Sequence, residues 1–307
     1  MRIRTLAAGL MVGALALTAC GKEGSPADPG NGNGEGDGGG TQLPTYEVAQ
    51  DVTVEGSPTF DKIKAAGQPT IGVKQDQPGL GEKDATTGEY NGFDIEIAKL
   101  ITAKLGFEPD SIEYKPVPSA GREQALINGD VHYYVGTYTI NDKRKEQVSF
   151  AGPYFVAGQD LLVAKDNTDI TGPDALSGKK VCSVSGSTPI QRVREEGMVE
   201  PGGEIVELQT YSQCVEQLAQ GRVDAVTTDD AILKGYAAQE PDTFRVVGET
   251  FSDEPYGVGL PKEDKALRDK VNDILEQALE DGTWQQIYDA TLGKSGSTAE
   301  KPTIDRY

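Results

Sequence analysis

Leu126-Ile127-Asn128-Gly129-Asp130-Val131 and Leu218-Ala219-Gln220-Gly221-Arg222-Val223 carry one pattern in two distant parts of the chain. Each reads as a helix whose end is marked by glycine, followed by a short apolar strand. The first strand runs into the hydroxyls of Thr137 and Thr139, the second into Thr227, Thr228 and Asp229. In open α/β sheets a ligand sits beyond the carboxyl ends of the strands. Two such units, one per lobe, therefore place two hydroxyl clusters on a shared groove.

The pattern extends outward in both directions. Thr70 to Val73 predicts a buried strand, and Ile97, Ala98, Ile101 and Leu105 mark one face of a helix that Gly106 ends. Asp94 and Glu96 near its start suit the helix dipole. A strand over 112–114, a helix over 122–128 and a strand over 131–135 follow, so strand and helix alternate as in an α/β fold with a parallel sheet. Strands over 161–164 and 181–184 begin a second lobe, and those over 244–248 and 256–260 lead out of it and back to the first. Leu267, Val271, Ile274 and Ala278 face one side of a last long helix, stopped at Asp281-Gly282; Thr283 is expected to cap a short helix through Tyr288. A chain of 307 residues exceeds what one core usually organises.

The beginning of the chain has a different character. Arg2 and Arg4 precede an apolar run from Leu6 to Leu17, and Leu17-Thr18-Ala19-Cys20 closes it. A run of about a dozen residues is too short to span a bilayer, which takes roughly 20. It reads as a secretory signal whose removal exposes Cys20 for lipid attachment. The glycine-dominated stretch over 24–40 cannot pack a core and predicts a leash on the order of 25 Å long. Residues 1–20 are thus assigned to the signal and 21–55 to the linker. Residues 56–157 with 251–295 form lobe 1, 158–250 form lobe 2, and 296–307 form a frayed tail. The location implied is the extracytoplasmic face of the cell membrane, with lipid on Cys20 as the membrane contact.

A net charge of −20 repels nucleic acid and anionic surfaces, so no nucleic-acid partner is expected. In an oxidising compartment Cys182 and Cys214 are expected to pair as a disulfide, the alternative being two buried thiols. The single histidine, His132, sits among Val131, Tyr133 and Tyr134 and reads as structural. There is no CxxC spacing for a metal, no complete dinucleotide or phosphate loop, and no nucleophile–base set. The expectation is binding without catalysis, cofactor or metal.

Several motifs then become family-specific. GTYTINDKR over 136–144, VSFAGPY over 148–154, NGFD over 91–94, SGST over 185–188 and GRVDAVTTD over 221–229 occur in this order. Together they resemble the polar amino-acid binding proteins of ABC importers over about residues 68–290. KQDQPGL over 74–80 and AGQD over 157–160 resemble the actinobacterial glutamate-binding lipoproteins in particular. The resemblance implies a two-lobed periplasmic-binding-protein type 2 (Venus-flytrap) fold, α/β, hinged on two crossing strands.

The same resemblance implies a ligand set. Arg144 matches the arginine that grips an α-carboxylate, bidentate as lysine cannot be. Thr139, Ser187 and Thr188 match donors to that carboxylate, the last two opening a helix that favours an anion. Asp229 matches the acceptor for the α-ammonium, with Thr137 and Gly136 assisting. Lys74, Arg122 and, more loosely, Tyr211 fall at the far end, where two cations favour a side-chain carboxylate. Tyr138, Tyr90 or Tyr154 is expected to cover the ligand's aliphatic stem. The implied role is capture of glutamate, or aspartate, for an ABC permease complex. The alternatives are a glutamine or asparagine binder, an amino-acid sensor for a membrane signalling protein, and a cyclohexadienyl dehydratase-like enzyme.

Overall fold

A computed structural model of the chain describes residues 42–295 and 300–307. Cys20, the apolar run before it and the glycine-rich stretch lie outside the described residues. Among the described residues, no helix is long and apolar enough to cross a membrane.

The first lobe opens with α1 (Pro58–Ala66), whose N-cap Ser57 accepts from the Phe60 N–H. Strand β1 (Thr70–Val73) leads into a small three-stranded sheet of β2 (Asp76–Gln77), β3 (Gly81–Lys83) and β4 (Tyr90–Asn91). Helix α2 (Phe93–Lys104), β5 (Glu113–Pro116), α3 (Arg122–Asn128), β6 (Tyr133–Tyr134) and α4 (Asp142–Lys145) follow. The long strand β7 (Val148–Ala157) then leaves the lobe.

The second lobe holds β8 (Gln159–Ala164), β9 (Lys180–Val184), α5 (Thr188–Glu195), β10 (Glu204–Leu208), α6 (Tyr211–Ala219), β11 (Ala225–Asp229), α7 (Asp230–Gln239) and β12 (Phe244–Val246). Strand β13 (Glu254–Pro261) returns to the first lobe, which α8 (Lys265–Asp281) and α9 (Thr283–Ala290) complete.

The two main sheets run β5-β1-β6-β13-β7 and β10-β9-β11-β8-β12. Neither is purely parallel. Strand β13 is antiparallel to β6 and β7, and β8 is antiparallel to β11 and β12. The reason is topological: the strands that pass between lobes enter each sheet against the direction of the βαβ units. At the crossing only Gly158 separates β7 from β8. A Cβ there would lie 2.6 Å from Thr250 Cβ, so a side chain would push the two crossing segments apart.

The long-helix prediction holds in α8, which ends at Gly282 in the left-handed region. Thr283 makes no capping bond; it is the first residue of α9, and its own N–H donates to Asp281 Oδ1 at 2.9 Å. Trp284 of α9 stacks on Tyr288 and donates to the Tyr154 carbonyl at 2.7 Å, tying this helix to the core. His132 Nδ1 accepts from the Thr70 N–H at 2.8 Å, a structural use. Cys182 of β9 and Cys214 of α6, both fully buried, form the expected disulfide.

Two expectations fail at the ends. Residues 42–55 fall within the expected linker, yet Ala49 N–H donates to the Ala103 carbonyl, and Tyr46 donates to Glu96 at 2.8 Å. Tyr46, Val52 and Val54 have apolar surface to bury, which the glycine stretch lacks. Residues 300–307 are not frayed either. They lie along the outer strand β7, where Asp305 N–H donates to the Gly152 carbonyl and Phe150 N–H to the Tyr307 hydroxyl, both at 2.8 Å. The Tyr307 ring sits 4.1 Å from Lys145 Nζ and 4.4 Å from the Arg268 guanidinium carbon. Covering an edge strand and two cation–π contacts gives this segment a measurable role. Deleting residues 300–307 is expected to lower unfolding stability by about 1–2 kcal/mol, read from urea denaturation, with β7 amides exchanging faster.

Candidate functional site

The first lobe's contribution is built around Thr137, just after β6. Its φ of 46° lies in the left-handed region, which is costly for a β-branched residue. Neighbouring bonds hold it there: its N–H donates to Asp94 Oδ2 at 3.0 Å and its hydroxyl to Gln77 Oε1 at 3.1 Å. Its carbonyl accepts from Arg122 Nη1 at 3.2 Å. Asp94 is fully buried in the first turn of α2 and also accepts from the Tyr154 hydroxyl at 2.8 Å. Burial raises its carboxyl to about 6 against those donors and Lys74, which act the other way.

Two guanidinium groups lie close to one aromatic ring. Arg122 opens α3, with its guanidinium carbon 4.2 Å from the centre of the Tyr138 ring; that of Arg144 is 5.1 Å from the same ring. Asn141 caps α4 by accepting from the Arg144 N–H, which fixes the start of that side chain. Arg144 Nη1 donates to the Thr139 carbonyl at 2.7 Å, and its Nε lies 3.5 Å from Glu123. Burial, and then the neighbouring Arg122 charge, bring Arg144 down to about 10. A carboxylate brought beside the two guanidinium groups would offset both the burial and the like-charge contact.

The second lobe meets this surface at Gly186, between β9 and α5. Its carbonyl accepts from Arg144 Nη2 at 3.1 Å and Arg122 Nη2 at 3.4 Å. Gly186 has φ 76°, and a Cβ there would lie 2.6 Å from Ala120 Cα, so glycine permits the close approach of the lobes. Ser187 caps α5 by accepting from the Ile190 N–H, and the Thr188 hydroxyl lies 3.4 Å from that of Thr139.

Asp229 ends β11 with its side chain buried. Its Oδ2 accepts from the Tyr256 hydroxyl at 2.6 Å, while Oδ1 has no hydrogen-bond partner among the described residues. Burial, then the charge of Glu254, raise this carboxyl to about 8, with Tyr256 acting the other way. A buried carboxylate oxygen without a donor is a ready acceptor for a cationic group.

Arg122, Thr137, Thr139, Arg144, Ser187, Thr188, Tyr211 and Asp229 thus line one narrow cavity of about 10 Å³ where the lobes meet. Lys74 and Gly136 do not line it. Lys74 is buried beside it, donates to Ser119 Oγ at 2.8 Å, and faces an adjoining cavity of about 310 Å³ that shares Tyr211. Burial, then Arg122, bring Lys74 down to about 7.

The sequence reading missed Ser119, Pro189 and Ile232, which also line the cavity, and the supporting Asp94, Gln77, Glu254 and Tyr256. Ser119 lies three residues before Arg122 in the sequence, and Asp94 reads there only as a helix-dipole residue. Tyr138, Tyr90 and Tyr154 do not cover the cavity: Tyr138 lies beneath the arginines, Tyr154 bonds Asp94, and Tyr90 packs on Tyr114. Besides Asp229, the carboxylates of Glu123 and Glu254 also reach the site, through Arg144 and Thr188.

Two α/β lobes, crossing strands and a polar cavity between them define a two-lobed binding protein of the periplasmic type 2 class. The chain belongs to the bacterial extracellular solute-binding proteins, family 3, whose model matches residues 70–294. It is similar to the glutamate-binding protein GluB of Corynebacterium glutamicum, 42% identical over 77% of this chain and 82% of that protein. A glutamine-binding protein of Geobacillus stearothermophilus is 42% identical over 69% of this chain and 80% of its own length. Among solved structures, an ancestral arginine-binding protein bound to glutamine superposes with a TM-score of 0.69 at 39% identity. That match covers 74% of this chain and 98% of the other.

Proposed function

We propose that the cleft captures an acidic α-amino acid, L-glutamate first, and presents it to an ABC importer at the outer face of the membrane, where lipid on Cys20 tethers the protein. The observation that carries this reading is the charge arrangement. Arg144 and Arg122 both lie close to the Tyr138 ring, and Asp229 Oδ1 has no donor. An α-carboxylate answers the arginines and an α-ammonium answers Asp229. A side chain extending past Tyr211 toward the adjoining cavity brings its carboxylate to Arg122 and to Lys74, which lines that cavity. The likeness to a glutamate-binding relative supports the same ligand. Lobe closure then follows from differential affinity, because Arg144 and Asp229 belong to different lobes.

Calorimetric titration with glutamate, aspartate, glutamine and asparagine tests this. Glutamate is expected to bind at least about tenfold tighter than glutamine, the cost of one poorly paired buried charge. Tighter glutamine binding would overturn the acidic selectivity. One observation favours that second reading: Lys74 titrates near 7 and is easily neutral, and a neutral amine suits an amide.

The pH dependence separates the two. Capture of the ammonium needs Asp229 ionised, so affinity should rise with pH up to about 8 as a proton leaves. Capture of a side-chain carboxylate needs Lys74 charged, so affinity should fall above about 7 as a proton must be taken up. Glutamate is therefore expected to bind best between about pH 7 and 8, whereas glutamine should show only the rising limb. Titrations in buffers of different ionisation heat read both protons.

A further inference from the structure

We infer that Glu254, at the start of the returning strand β13, is a positioning residue that sets the first turn of α5 against Arg144. The inference rests on amino-acid capture as the role of the cleft. Glu254 is 1% exposed, and three groups converge on its carboxylate. The Thr188 hydroxyl donates to Oε2 at 2.7 Å, the Ser252 hydroxyl donates to Oε1 at 2.8 Å, and Arg192 Nη2 lies 3.4 Å from Oε1. Arg192 Nε also donates to Gln159 Oε1 at 3.1 Å, and the Gln159 N–H donates to Ser252 Oγ at 3.0 Å. Both crossing segments between the lobes are thereby joined to α5 through one buried carboxylate.

The arrangement changes what Thr188 offers a ligand. A hydroxyl has one proton, and that of Thr188 is committed to Glu254. Its oxygen is left to accept from the Thr139 hydroxyl, 3.4 Å away in the other lobe. A carboxylate bound by Arg144 is therefore met by the Thr188 backbone N–H at the helix start, with the hydroxyl acting as a strut between lobe and hinge. Glu254 fixes the rotation of that turn, and hence where its N–H points. Its charge falls within reach of Asp229 and Arg144, so it also helps set the balance of charge at the site.

The test uses the parent chain with E254A, E254Q, T188V and the E254A/T188V pair, each measured by glutamate calorimetry and by urea denaturation without ligand. E254A is expected to weaken glutamate about tenfold, the loss of a charge-assisted bond. E254Q keeps an oxygen for the Thr188 hydroxyl and should stay within about threefold of the parent. If Glu254 acts through Thr188, the pair loses no more affinity than the weaker single variant, and the ligand-free urea midpoints show the same non-additivity. Losses that add, parent-like binding by E254A, or an E254Q as weak as E254A overturn the inference. A parent chain that binds none of the four amino acids, with coupled midpoints, removes the acidic amino-acid reading and upholds the Glu254–Thr188 link. Uncoupled midpoints overturn the link whether or not ligand binds.

Discussion

Replacing Arg144 with lysine is expected to weaken amino-acid binding at least about 100-fold, with urea stability little changed. The side chain is 6% exposed and is oriented at every point. Asn141 holds its backbone, Thr139 and Gly186 accept from its two terminal nitrogens, Glu123 approaches Nε, and Tyr138 lies under its plane. A carboxylate arriving at this fork meets donors already aligned, so little ordering is left to be done on binding. Lysine retains the charge and loses the plane, the second nitrogen and the stacking. It cannot reach Gly186 and a ligand together, so lobe closure suffers along with affinity. Lysine keeps the positive charge near Glu123 and most of the aliphatic stem, so the ligand-free protein should lose little stability. Calorimetry and urea denaturation on the same preparation check both halves. Affinity within threefold of the parent would remove Arg144 from the ligand set.

The second large effect is on stability. Removing the Cys182–Cys214 bond, as C182A/C214A, is expected to cost about 3–4 kcal/mol, chiefly by freeing a loop in the unfolded chain. The two positions are 32 residues apart and link the middle of β9 to α6. Helix α6 begins at Tyr211, which lines the cavity, and its capping box at Thr210 and Gln213 remains without the bond. The helix should therefore still form, and ligand affinity should fall far less than stability does. Urea unfolding with and without reductant, alongside the double variant, checks this. A midpoint insensitive to reductant would mean that the bond adds nothing beyond the packing of two buried side chains.

The elements legible in the sequence are those whose signal is local. Helix α3 and its terminal Gly129, the stop of α8 at Gly282, and the Ser187 cap of α5 all rest on neighbours within a few residues. Ser187, Thr188 and Asp229 were found because motifs put them at a helix start and a strand end. The rest depends on partners far along the chain. Asp94 reads as a helix-start acid until Thr137 and Tyr154 arrive to fill its oxygens. Nothing in the sequence around Glu254 singles it out; its role appears only when Thr188 and Arg192 fold over it. Residues 300–307 read as a tail because the edge of β7, which they cover, is formed by a strand some 150 positions earlier, as the Phe150–Tyr307 bond records with a separation of 157.

By itself, the sequence determined the alternation that builds two α/β lobes and the candidate pair for a disulfide; most of the residues that line the cleft came from the resemblance of its motifs to a known family. Periodicity, glycine stops and residue chemistry act over short range and are written into the order of the chain. Only the tertiary structure decided the mixed direction of both sheets, the strained Thr137, the placement of Lys74 on the adjoining cavity, and the unpartnered oxygen of Asp229. These follow from burial and from distances between segments, which set the protonation and the hydrogen bonds of a charged group but leave no mark on its neighbours in sequence.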